Sequence, residues 1–166
     1  AVNAAASLSG LPLTERRLVL AFGERANALG RPGLLPGLVG LLGGANAGDL
    51  QHLLAVWRDT WNAALEENSV ALPARLQPAR MGYYARAFDA ILKGDAPQAI
   101  LWPLLRTWTQ AAGLLPDGHA QRQVWQKSVT GLGLAGEALA ERVQALDSYL
   151  DMIDEALDEW GRANGV

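Results

Sequence analysis

Cysteine is absent from the 166 residues, and histidine, methionine and phenylalanine occur only twice each. Without cysteine there is no disulfide framework and no thiolate metal site, and the composition fits a reducing interior, so the cytoplasm is the expected compartment. His52 and His119 have no ligand-spaced histidine or carboxylate beside them, which removes the sequence basis for a zinc site and reads each as a surface or capping residue. No serine lies in a G-x-S-x-G turn, and no glycine-rich phosphate loop follows a strand. Alternation by two never persists, so the strand signal is missing as well. The longest uncharged run, residues 32–48 (PGLLPGLVGLLGGANAG), contains two prolines and six glycines and is too short to span a membrane. The opening AVNAAASLSG lacks the charged start and long apolar middle of a secretory signal. Residues 1–13 are therefore expected to form a disordered lead-in, or the remnant of a cut in a longer protein.

Apolar residues make up 50% of the chain, enough for one substantial core, and residues 14–166 read as a single helical domain. The net charge of −3 conceals an asymmetry: residues 1–136 carry 12 Lys and Arg against 9 Asp and Glu, whereas 137–166 carry 2 against 8. The overall net charge, rather than this asymmetry, argues against a purely electrostatic nucleic-acid binder. Spacings of three and four recur throughout and predict an all-α, up-and-down bundle of about five to six helices. The first is expected over Thr14–Leu29 with Thr14 as its cap, followed by a Gly/Pro-rich connector at 30–48 that holds at most one short turn around Leu38–Leu42. A second begins at Asp49 and carries Trp57 and Trp61 on one apolar stripe; a third opens with Pro78 at its first position. Asp95 with Gln98 resembles a capping box for the fourth, in which Pro103 is expected to kink or open the first turns. The fifth follows Pro116-Asp117-Gly118.

The last helix carries Leu139, Val143, Leu146, Leu150, Ile153, Leu157 and Trp160 at steps of 4,3,4,3,4,3, a heptad seam that predicts a packed partner helix within the chain or in a second copy. Trp57, Trp61, Trp108, Trp125 and Trp160 are expected in the core. Two groups exceed what folding requires. Asp147, Asp151, Asp154 and Asp158 form an acidic stripe, but no second acidic helix is available to complete a metal cage, so no metal is assigned and the stripe reads as a solvated or partner-facing surface. Arg80, Tyr83 and Arg86 share one face of the third helix, while Trp102 and Arg106 stand at i,i+4 on the fourth, off its apolar stripe. If the two helices are neighbours, guanidinium groups and rings line one concave site for a polar or anionic ligand; otherwise the Arg stems simply cover aromatic surface.

Residues 81–116, MGYYARAFDAILKGDAPQAILWPLLRTWTQAAGLLP, and the closing LDSYLDMIDEALDEW resemble the helical C-terminal region of some bacterial nucleotidyltransferase-like proteins. The resemblance implies a bundle that packs on a separate catalytic domain and supplies one wall of its substrate pocket, in some members with a carboxylate as base. Asp89, beside Phe88 and one turn from Arg86, is the carboxylate best placed for such a role. The Gly-Ser turn and paired aspartates of the catalytic half are missing, so the chain by itself is not expected to transfer a nucleotide. The sequence thus points to a non-catalytic bundle without a cofactor, binding a small polar or anionic ligand or a catalytic partner domain through Arg80, Tyr83, Arg86, Asp89, Trp102 and Arg106. The alternative is an interaction or homodimerisation module that uses the seam and acidic face of the last helix.

Overall fold

The computed structural model describes residues 2–8, 14–44, 48–68 and 72–165. Among these, eight α-helices and no strand are present: α1 (Val2–Ser7), α2 (Leu18–Ala28), α3 (Leu34–Leu41), α4 (Leu50–Glu67), α5 (Pro78–Leu92), α6 (Leu101–Gly113), α7 (Ala120–Gly131) and α8 (Ala138–Asn164). The all-α bundle follows the helical periodicity, with two helices more than expected. Both additions fall in segments read as unstructured. Residues 2–7, expected in a disordered lead-in, form α1, because its alanines have strong helix propensity and Ala5 and Ala6 become buried. The connector holds eight helical residues at Leu34–Leu41 in place of a single turn, since burial of Leu34 and packing of Leu35 and Leu38 override its glycines. The remainder of the lead-in and residues 45–47 lie outside the described residues.

Local signals fix several helix ends. Asp49 accepts hydrogen bonds from the backbone N–H groups of Gln51 (2.8 Å) and His52 (3.1 Å) and so caps α4. His119 Nδ1 accepts from Gln121 N at 3.1 Å and caps α7. Pro78 opens α5. Thr14 does not cap by its side chain: its carbonyl accepts from Arg17 N and Leu18 N in a turn, and α2 starts only at Leu18. The expected capping box at Asp95 does not form, because the chain enters through a 3₁₀ turn at Pro97–Ile100 that delays the α-helix to Leu101. Pro103 is consequently the third residue of α6, where its missing N–H breaks no helical bond.

Two apolar clusters hold the molecule together. The larger gathers α4, α5, α6 and α7, with Trp57, Trp61, Trp108, Phe88, Ile100 and Leu104 fully buried. Trp57 meets Trp61 edge-on at 5.3 Å and Phe88 at 5.1 Å, favourable quadrupole geometries. The smaller joins α1, α2, α3 and α8 through Phe22, Ala26, Leu34, Tyr149 and Ile153. Leu35 and Leu38 of α3 pack on both. The Tyr149 hydroxyl donates to the Leu34 carbonyl at 2.7 Å, Arg142 donates to the Gly40 carbonyl, and Arg31 pairs with Glu159 at 2.6 Å. Trp125 and Trp160, expected in the core, are only half-buried: α7 buries a single residue, Val129, and Trp160 sits at the far end of α8.

Candidate ligand-binding site

Glu15 lies in the turn ahead of α2, at the boundary between the two clusters, and its side chain is 19% exposed. Its Oε2 accepts from Arg75 Nε and from the Tyr84 hydroxyl, both at 3.1 Å. Arg106 Nη1 stands 3.3 Å from Oε1 in an ion-pair contact without hydrogen-bond geometry, so Oε1 is buried with no hydrogen-bond partner. One carboxylate therefore gathers the 3₁₀ turn at Ala74–Leu76, α5 and α6. Burial, then the adjacent Glu15 carboxylate, holds the Tyr84 hydroxyl above its ordinary pKa. Beside it the Arg16 guanidinium lies 4.7 Å from the Tyr83 ring centroid and that of Arg80 at 5.8 Å, with the Tyr83 and Tyr84 rings edge to face at 5.4 Å.

Clefts open on both sides of Glu15. One, of about 460 Å³, is lined among others by Asn3, Thr14, Glu15, Trp102 and Arg106. The other, of about 470 Å³, is lined by Glu15, Arg75, Arg80, Tyr84 and Gln110. Two polar atoms on residues that line these walls, Trp102 Nε1 and Gln110 Oε1, are buried without a hydrogen-bond partner. A third cleft, of about 260 Å³, shares Asn3, Leu18 and Trp102 with the first and is otherwise bounded by Val2, Val19, Leu38 and Leu42.

Of the residues singled out in the sequence, Trp102 and Arg106 line the first polar cleft beside Glu15 and Arg80 the second, whereas Tyr83 packs against Tyr84 beneath Arg16 and Arg80 and lines neither cleft. Arg86 and Asp89 are exposed on α5 and line neither of them. Glu15, Arg75, Arg16 and Gln110 were not legible as members. The one available signal was that Glu15 is the first acidic residue of the chain and sits directly before Arg16-Arg17; its pairing across 60 residues with Arg75 leaves no local trace. Two guanidinium groups, those of Arg75 and Arg106, thus share one carboxylate and remain 40% and 39% exposed with N–H donors to spare, while those of Arg16 and Arg80 lie over the Tyr83 ring. Among the described residues no three His, Asp or Glu side chains come together in a way that could hold a metal ion, and no helix is long and apolar enough to cross a membrane. The acidic stripe on α8 is exposed throughout. Compared with protein-family models, curated proteins and solved structures, the chain matches none.

Proposed function

We propose that the protein is a non-catalytic helical bundle that binds a small anionic ligand in the clefts beside Glu15. The observation that carries this reading is the excess of positive charge: Arg75 and Arg106 share the single Glu15 carboxylate, and Arg16 and Arg80 stand over the Tyr83 ring, which packs on the Tyr84 that Glu15 bonds. Guanidinium groups with free donors on a half-sheltered wall suit a carboxylate or phosphate oxygen, and the ring of Trp102 adds apolar or planar contact. The test is thermal unfolding with inorganic phosphate and small carboxylates, in wild type and in Arg75→Ala/Arg106→Ala. An anion at a hundredfold its dissociation constant adds about 2.7 kcal/mol of stability. That shift should vanish in the double variant, and a flat response to every anion in wild type removes the reading.

A second reading, an interaction module, is favoured by a specific observation on α8: Leu139, Val143 and Leu146 are 44%, 49% and 41% exposed at steps of four and three. They form an apolar ridge whose neighbouring face is the Asp147–Asp151–Asp154 stripe, which suits a partner carrying apolar and basic residues. A catalytic domain of the nucleotidyltransferase type, as the resemblance implies, is one such partner. Two copies joined along this ridge bring acidic rims together, so self-association that strengthens with added salt in light scattering identifies a second copy as the partner.

A further inference from the structure

Resting on the anion site proposed above, we infer that its ligand is amphipathic: a single carboxylate or phosphate head held at Arg106, with one unbranched apolar chain lying over Trp102 into the cleft between α1, α2 and α3. The polar cleft at Arg106 and the apolar one adjoin at Asn3, Leu18 and Trp102, which gives the groove a charged end and an oily end on either side of that shared wall. Trp102 and Arg106 are one helical turn apart on α6, which separates head from chain by about 6 Å along the helix axis. Beyond Trp102 the walls formed by the described residues are Val2, Leu18, Val19, Leu38 and Leu42, with Asn3 the one polar side chain among them. A half-open cleft of about 260 Å³ so lined leaves apolar side chains uncovered, a surface that an apolar chain would cover. It is also smaller than ordinary drug-sized pockets, which restricts it to one chain rather than the two of a diacyl lipid.

Calorimetric titration of the folded chain with inorganic phosphate and with n-butyl, n-hexyl and n-octyl phosphate, and with octanoate for the carboxylate head, tests this assignment. Affinity rises about fourfold for each methylene that enters the groove, then levels off once the groove is full. Arg106→Ala weakens every phosphate by a similar factor. Leu38→Gln lowers the gain per methylene while leaving inorganic phosphate unchanged; Val2→Phe, which fills the groove from its rim without opening the core, does the same if Leu38→Gln fails to fold. Binding of all four phosphates with one affinity overturns the amphipathic assignment and leaves the anion site standing, whereas no binding by any of them removes both. Chain-length dependence untouched by Leu38→Gln and Val2→Phe places the chain elsewhere and also overturns it. So does co-sedimentation with phosphatidylglycerol vesicles in the absence of octyl phosphate binding, which would assign the arginines to a membrane surface.

Discussion

Two Trp–Thr pairs cross-brace α4 and α6 in opposite directions. Trp57 Nε1 donates to Thr107 Oγ1 at 2.9 Å, and Trp108 Nε1 donates to Thr60 Oγ1 at 2.8 Å. Each threonine hydroxyl donates in turn to a carbonyl four residues earlier, Pro103 for Thr107 and Val56 for Thr60, so all four buried groups are satisfied. Trp61, equally buried, has no partner for its Nε1. Three indoles with the same exposure therefore differ in what their N–H contributes. Trp57→Phe and Trp108→Phe should each lose a hydrogen bond worth about 0.5–1.5 kcal/mol beyond the cost of the smaller ring, and Trp61→Phe only the ring. Denaturant titrations that give equal losses for all three would show that the indole bonds contribute nothing. Glu15 has a different kind of significance, because it competes with any incoming anion for Arg75 and Arg106. Glu15→Gln should lower stability yet strengthen inorganic phosphate binding, by about 1 kcal/mol or roughly fivefold, read by titration calorimetry.

At the scale of elements, α8 shows how a correct periodicity is packed over only part of its length. The seam from Leu139 to Trp160 is present in the sequence, but α8 is about 40 Å long and its principal neighbour α3 only about 12 Å, so α3 cannot cover it. The helix buries Ile153 of the seam together with Tyr149 and Ala156, which lie off it, and leaves the first half of the seam in solvent. Leu150, expected at the centre of the packed seam, is only partly covered. Ile153→Ala should cost about 2–5 kcal/mol, the usual range for a large-to-small core change, while Val143→Asp stays within roughly 0.5 kcal/mol of wild type. Thermal unfolding of both variants checks this, and a loss at Val143 matching that at Ile153 would mean the ridge is covered in solution. The end of α3 makes a complementary point about backbone. Gly43 has φ of +79°, and a Cβ there would lie 2.6 Å from the Leu132 carbonyl oxygen, a backbone atom that cannot swing aside. Gly43→Ala combines left-handed strain with this clash and should destabilise by more than about 1 kcal/mol, against near-neutrality at the open Gly33.

For the molecule as a whole, what was legible is what neighbouring residues decide together. The placement of Trp57, Trp61, Trp108 and Phe88 in the core follows from stripes within single helices, as do the ends at Asp49 and Pro78. The meeting of Glu15 with Arg75, Tyr84 and Arg106 depends on how the two clusters dock, a property no window of sequence contains. The same division gives the protein its response to alkali. The smaller cluster is joined across α3 and α8 by Tyr149, whose hydroxyl must keep its proton to donate to the Leu34 carbonyl, and burial pushes that hydroxyl well above its ordinary pKa near 10. A raised pKa means that the folded state holds the proton more tightly than the unfolded chain does. The associated stability is therefore complete below pH 10 and is lost as pH rises beyond it. Tyr84, raised for the same principal reason in the larger cluster, acts in the same direction. Unfolding free energy measured from pH 8 to 11 should be level up to about 10 and then fall. Tyr149→Phe should start lower by about 1 kcal/mol for the missing hydrogen bond and decline less steeply, its residual slope belonging to Tyr84. An unchanged slope in that variant would mean that the α3–α8 junction opens to solvent before Tyr149 ionises, making the smaller cluster the weaker of the two.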